Sequence, residues 1–185
     1  MSRKILKKER ITTERLTLSP YRQEDRARLA EMLQDPEITA TFMVPDYPEE
    51  EQYYALADKL TAFSQTGDTT HLEYGIFLDG QLIGFVNDCG YDDDEIELGY
   101  VIDPAFKGQG YATEAVKAVI GELRGMGFRK VLAGYFEGNH ASRRVMEKCG
   151  LRPTGETEEE EYRGKTWKCY TCEMTLTDTP FPSVS

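Results

Sequence analysis

Hydrophobic and polar residues alternate with period two from Glu95 to Ile102, placing Ile96, Leu98, Tyr100 and Ile102 on one side and Glu95, Glu97, Gly99 and Val101 on the other. This is the pattern of a strand with one apolar face. After a short glycine-bearing loop the period changes. Ala112, Ala115, Val116, Val119, Ile120 and Leu123 recur at i, i+3, i+4, i+7 spacing and predict a long amphipathic helix. The same reading predicts strands from Arg15 to Tyr21, Leu72 to Leu78, Gln81 to Asp88 and Lys130 to Phe136, and helices from Glu24 to Gln34, Glu49 to Ala62 and Ala141 to Lys148. Asp79-Gly80 marks a two-residue hairpin turn, and Gly150 a left-handed cap on the last helix. Arg163-Gly164 marks the turn of a final strand pair, from Arg152 to Glu161 and from Lys165 to Leu176.

The loop between the alternating strand and the long helix has the character of a phosphate cradle. Gly108 and Gly110 lack Cβ atoms, so the backbone can turn sharply and bring N–H groups close to an anion. The helix that follows adds unpaired N–H groups and its positive dipole end. A dinucleotide fingerprint requires a third glycine where Thr113 stands, although Glu137 follows at a suitable distance. Gly164-Lys165-Thr166 ends like a Walker loop, but Glu159 occupies its first glycine position.

What remains, Lys107-x-x-Gly110-x-Ala112, resembles the acetyl-CoA loop (Gln/Arg-x-x-Gly-x-Gly/Ala) of the GNAT acetyltransferases, with lysine at its first position a departure. Two further segments are similar to the RimJ/RimL, or ribosomal-protein-alanine acetyltransferase, branch. One is Thr13-Glu14-Arg15-Leu16-Thr17-Leu18 with Asp25 and Asp35-Pro36-Glu37; the other is Asn139-x-x-Ser142-x-x-Val145-x-x-Lys148-x-Gly150. The likeness spans residues 11 to 176. It implies an α+β fold with a central, mostly antiparallel twisted sheet of about seven strands, flanked by about four helices and splayed between the fourth and fifth strands. It also implies acetyl-CoA as cosubstrate, bound by Val101, Ile102, Lys107, Gly108, Gln109, Gly110, Tyr111, Ala112, Thr113, Asn139 and Ser142.

The chain has 185 residues, enough for a full core without staples, and the simplest organisation is one domain with residues 1–10 and 177–185 as flexible ends. No apolar run approaches the roughly 20 residues of a membrane span, and the charged start has no signal-peptide core, so a cytoplasmic protein is expected. The net charge of −11 argues against a nucleic-acid partner and favours cationic ligands. Acidic residues gather at Asp92-Asp93-Asp94-Glu95 and from Glu156 to Glu161, either as solvated tips or as a funnel for an amine acceptor. Cys169-x-x-Cys172 lies in a strand pattern that points its two thiols to opposite faces, so no metal site is expected.

Acetyl transfer from a thioester to an amine needs a base for the amine, a polarised carbonyl and a stabilised thiolate. Glu97, opposite the apolar face of its strand, is the candidate base; a family glutamate at this strand position often has that role. The tyrosine that many family members place four residues after the Ser142 position is Met146 here. The resemblance then implies that Ser142 contacts the coenzyme sulfur, while a serine near a helix start also bonds local backbone. Asn139 is both a good N-cap and, by resemblance, a pantetheine contact. Tyr135 is a spare acid, His71 and His140 lack a sequence partner, and Trp167 is either core packing or acceptor-pocket lining. Two classes stay open. The first is an acetyl-CoA-dependent N-acetyltransferase acting on a protein N-terminus, polyamine, aminoglycoside or small metabolite. The second is a catalytically weak acyl-CoA-binding or regulatory domain. The family's frequent dimers leave a homodimer open as well.

Overall fold

The computed structural model describes residues 3–176. Its strands form one eight-stranded sheet in the order β1-β2-β3-β4-β5-β6-β8-β7. They are β1 (Ile11–Thr12), β2 (Thr17–Ser19), β3 (Glu73–Leu78), β4 (Gln81–Tyr91), β5 (Glu95–Ile102), β6 (Lys130–Phe136), β7 (Arg152–Tyr162) and β8 (Lys165–Thr175). The helices are α1 (Arg26–Gln34), α2 (Pro36–Thr39), α3 (Glu50–Ser64), α4 (Tyr111–Gly125) and α5 (His140–Lys148).

Two counts differ from expectation, and both differences are short elements that periodicity cannot register. The extra strand, β1, is two residues that pair Ile11 with Leu18 and Thr12 with Thr17. The extra helix, α2, is a single turn nucleated by Asp35, whose side chain accepts from Glu37 N and Ile38 N with Pro36 at the first helical position. Residues 3–10, expected as a loose end, are instead tied down. Ile5 is fully buried and donates its N–H to Thr69 O at 2.8 Å, and Lys7 Nζ donates to the carbonyls of Phe63 and His71. Residues 177–185 lie outside the described residues.

The turn signals translate directly. Asp79 and Gly80 both have positive φ (49° and 82°), the twist a two-residue hairpin needs, and Leu78 pairs with Gln81 across it. Gly150 (φ 95°) ends α5 with two reversed bonds, Gly150 N to Glu147 O and Leu151 N to Met146 O, which satisfy otherwise orphaned carbonyls.

Both sheet faces are covered, and β5 sorts its side chains between them. Ile96, Leu98 and Ile102 join Ala115, Val116, Val119, Ile120 and Leu123 of α4 in one cluster, as alternation predicts. Val101 joins Phe85, Leu29, Leu33 and Ala57 in a second cluster under α1 and α3. Each fully buried Val, Leu, Ile or Phe side chain among these contributes about 1.5–3 kcal/mol of apolar transfer. That burial fixes which face of β5 Glu97 can occupy, because a one-residue slip would exchange the faces.

Neighbouring strands are antiparallel except β5 and β6. Those two are parallel and pair at only three positions, Glu95–Lys130, Ile96–Val131 and Glu97–Leu132. Beyond them β5 stays with β4 and β6 stays with β8, so the sheet opens into a wedge, the splay expected between the fourth and fifth strands.

One buried acid lies away from the wedge. Glu73 is 2% exposed, accepts a hydrogen bond from Tyr21 Oη, and is pushed up to about 8, chiefly by burial. Because its folded pKa exceeds the unfolded value, the folded state holds the proton longer, and stability is lost as pH rises from about 4.5 to about 8. Glu73→Gln should therefore match the wild-type Tm near the lower limit and exceed it above the upper one; a Tm difference independent of pH would show that Glu73 is ionised in the fold.

Candidate active site

The wedge holds a cavity of about 340 Å³ between the end of β5, the start of α4 and the first turn of α5. Of the residues singled out in the sequence, Val101, Ile102, Lys107, Gly108, Gly110, Tyr111, Ala112, Thr113, Asn139 and Ser142 line it together. Gln109 does not; its carbonyl turns outward and accepts from Arg15 Nη1 at 2.9 Å. Glu97 also lies outside the cavity, on the other side of the wedge.

The cradle is built from backbone. Gly108 and Gly110 have φ of 78° and 81°, a region that strains any residue with a Cβ. Gly110 is the N-cap of α4 and supplies no side chain to it, so the first-turn N–H groups stay available for an anion. Arg15, nearly a hundred residues earlier, braces the loop. It pairs with Glu114 at 2.7 Å, lies 4.5 Å from the Tyr111 ring centroid, and would stand 3.4 Å from a Cβ at Gly110. No local pattern signals that role.

Charge divides sharply across the wedge. Lys107, Arg144 and Lys148 line the cavity and no acidic residue does, in a chain of net charge −11. On the far side Glu97 meets Glu158 and Glu160 of β7. Burial pushes the Glu97 carboxyl up, and the charges of Glu158 and Glu160 push it in the same direction. Among the described residues none of these three carboxylates has an ion-pair partner. Alternation along β7 turns Glu159 and Glu161 the other way. The Asp92–Glu95 cluster is different again: Asp92 Oδ1 caps a turn by accepting from Asp94 N and Glu95 N, and Glu95 pairs with Lys130 at 2.7 Å. That cluster is a turn, not part of the wedge.

Small residues make room for Glu97. A Cβ on Gly134 of β6 would stand 3.3 Å from Glu97 Oε1, so the carboxylate reaches across the mouth where the strands part. At Gly99 an added Cβ would fall 2.9 Å or less from Asn87, Cys89 and Phe42. Aromatic side chains complete this side. Phe136 stacks on Trp167 at 5.1 Å and on Tyr162 at 5.9 Å, so Trp167 packs in an aromatic cluster. Tyr162 Oη donates to Thr39 O at 2.7 Å and accepts from Val44 N at 3.2 Å, tying the β7–β8 hairpin to the segment after α2.

Asn139 caps α5, its side chain accepting from Ser142 N at 3.2 Å. Ser142 Oγ lies 2.9 Å from Tyr100 Oη, a partner that the strand pattern had placed with the apolar set. Met146 is 1% exposed and packs in the core. Tyr135 shares the face of Val131 and Ala133 and stacks on Tyr170, away from Glu97. His140 is exposed, while His71 packs on Phe63 and lies 3.7 Å from Asp88. Cys169 and Cys172 lie on opposite faces; Cys169 neighbours Glu97, and Cys172 is buried in the helix-covered core.

A cavity basic at one end, a glycine loop at a helix start and a glutamate across a strand split make up the candidate active site. The acetyltransferase (GNAT) domain family matches residues 15–152, and the chain belongs to that family. Three solved structures share the fold. The GNAT acetyltransferase from Bacillus anthracis is 24% identical with a TM-score of 0.75, over 90% of this chain and 98% of its own. RimL, the ribosomal L7/L12 alpha-N-protein acetyltransferase in complex with coenzyme A, is 17% identical with a TM-score of 0.76, over 91% of this chain and 98% of its own. The microcin C7 self-immunity acetyltransferase MccE, in complex with acetyl-CoA and AMP, is 16% identical with a TM-score of 0.75, over 89% of this chain and 94% of its own. No curated protein sequence matches. Among the described residues no helix is long and apolar enough to cross a membrane.

Gly110→Val should weaken coenzyme A binding by calorimetry more than about tenfold, a loss above 1.4 kcal/mol. Gly80→Val, at a hairpin tip with a φ of 82° against 81° at Gly110, carries similar backbone strain and should bind normally. Equal affinities in both variants would remove the cradle.

Proposed function

We propose that this protein transfers the acetyl group of acetyl-CoA directly to a primary amine carried by a cationic acceptor. The observation that carries this reading is the charge division of the wedge: three basic residues and no acid line the cavity that holds the cradle, and three unpaired carboxylates face it from the other side. A polyanionic coenzyme suits the first half. A protonated amine suits the second. A protein N-terminus, a polyamine, an aminoglycoside or a small amine all fit this description. The coenzyme's part is to supply the activated thioester.

The chain's own residues would divide the work as follows. Lys107, Arg144 and Lys148 neutralise phosphate charge while the N–H groups at the start of α4 hold the diphosphate. The exposed side of β5 at Val101 and Ile102, which has no strand partner, offers backbone groups to an extended pantetheine arm, as a sheet edge does to a strand. Asn139 holds the arm from α5. Glu97 accepts the amine proton, directly or through water, as nitrogen bonds to the acetyl carbon. The carbon–sulfur bond then breaks with its electron pair left on sulfur, and the Ser142 hydroxyl stabilises that charge. The upward shift of Glu97 makes it a stronger base at neutral pH than an exposed carboxylate.

Glu97→Gln should lower kcat by roughly 10²- to 10⁴-fold with coenzyme affinity unchanged. The wild-type rate should rise with pH through the ionisation of Glu97, above the ordinary carboxylate range, and that limb should vanish in the variant. Wild-type turnover across pH would dismiss Glu97. Glu158→Gln with Glu160→Gln should raise KM for a diamine about tenfold and leave KM for acetyl-CoA alone, because two charge-assisted contacts are removed from one substrate only. An unchanged diamine KM would return the β7 carboxylates to the solvated surface.

A further inference from the structure

Many members of this family carry a tyrosine where this chain has Met146, and Met146 is 1% exposed in the core, so α5 brings no hydroxyl to the wedge from that position. A different tyrosine reaches Ser142 from the sheet. Tyr100 lies on β5 past the last pair with β6, and its hydroxyl is 2.9 Å from Ser142 Oγ and 3.0 Å from Ser142 O. Both side chains line the cavity. We propose that Tyr100 is a positioning residue that turns the Ser142 hydroxyl into a hydrogen-bond donor toward the coenzyme sulfur. This inference rests on the acetyltransfer reading and on Ser142 facing the sulfur.

The two contacts of Tyr100 compete, and proton counting separates them. A carbonyl oxygen only accepts. When Tyr100 donates to Ser142 O, the 2.9 Å contact is a hydrogen bond only if the serine gives its own proton to Tyr100 Oη, which leaves the cavity facing lone pairs. When Tyr100 donates to Ser142 Oγ, the serine proton is free for sulfur, and Ser142 O keeps its helical N–H donor from Met146. The exchange needs two hydroxyl rotations and no movement of heavier atoms. A thioester sulfur is a weak acceptor and favours the first arrangement; negative charge on sulfur favours the second. The carbon–sulfur bond therefore breaks against a donor that appears as charge develops.

Magnitudes rule Tyr100 out as the net acid. A phenol titrates near ~10 and a thiol near ~8.5, and burial pushes Tyr100 higher still. Full transfer from the phenol to the thiolate runs uphill. The electron pair leaves on sulfur, Tyr100 keeps its proton, and water protonates the released thiolate.

The test compares coenzyme A with desulfo-coenzyme A. In wild type the affinity ratio of the two should climb as pH rises through the thiol pKa, because the dyad donates to the thiolate. In Tyr100→Phe that climb should shrink roughly tenfold, the worth of one charge-assisted hydrogen bond. Turnover should fall about as much with KM for acetyl-CoA within about twofold, and Tyr100→Phe should cost nothing further in a Ser142→Ala background. Equal weakening of both coenzymes would mean that Tyr100 only holds α5 in place, and would overturn the proposal. A damaged Ser142→Ala beside an intact Tyr100→Phe would overturn Tyr100 alone. An inert Ser142→Ala would overturn this proposal together with the role of Ser142, while acetyltransfer by wild type would still stand.

Discussion

The candidate active site depends on how briefly β5 and β6 pair. Three parallel positions join them, ending at Glu97 and Leu132, and each strand then follows its antiparallel neighbour. Splitting a sheet is costly where backbone groups are left unpaired and dry. The cost is tolerated where a ligand can supply the missing bonds. β5 from residue 98 onward keeps its bonds to β4 and presents its other edge to the cavity, with the α4 N-terminus at the far end of that edge. The last paired residue of β5 is Glu97, so the candidate base stands at the vertex, where the two halves of the site meet.

The charge pattern follows from the same geometry. A chain with 33 acidic and 22 basic residues spreads negative potential widely, yet the cavity lining carries Lys107, Arg144 and Lys148 without an acid. Helix α5 supplies two of these from its exposed side while its buried Met146 anchors the other. Across the vertex, β7 points Glu158 and Glu160 toward Glu97 and uses the alternate residues elsewhere. Burial raises the proton affinity of Glu97, and the charges of Glu158 and Glu160, held close without counterions, push it in the same direction. The same field attracts cations. At the start of β5 the acidic tip is partly neutralised instead, Asp94 pairing with Arg129 and Glu95 with Lys130.

How much was legible in the sequence depended on distance along the chain. Helix α4, the hairpin at Asp79-Gly80 and the cap at Gly150 are local, and period or turn chemistry revealed them. The glycine loop was legible for the same reason, since Lys107 to Thr113 is one segment. Strand alternation identified the face of Glu97 correctly. It also consigned Tyr100 to the apolar set, because alternation says which face a side chain takes and nothing of what its far end meets. Only packing α5 over β5 brings Tyr100 Oη to Ser142. Arg15 beside Gly110, Tyr162 bonded to the backbone at the end of α2 and at Val44, and the buried segment around Ile5 are likewise long-range facts. The stretch from Arg152 to Glu161 reads as a strand in sequence, but which of its acids turn toward Glu97 emerges only once that strand is placed beside β8.

The central claim is that the wedge after Glu97 and Leu132 receives the coenzyme along β5 and at the start of α4. Titrating acetyl-CoA into isotope-labelled protein and following backbone amide signals tests it most directly. The amides of Gly108, Gly110, Tyr111 and Ala112, together with Val101 and Ile102, should shift in a saturable way. Signals near Arg28, Glu31 and Tyr54, in the shallow groove between α1 and α3, should stay still. Saturable shifts confined to that groove, with the loop and the β5 edge unmoved, would contradict the account.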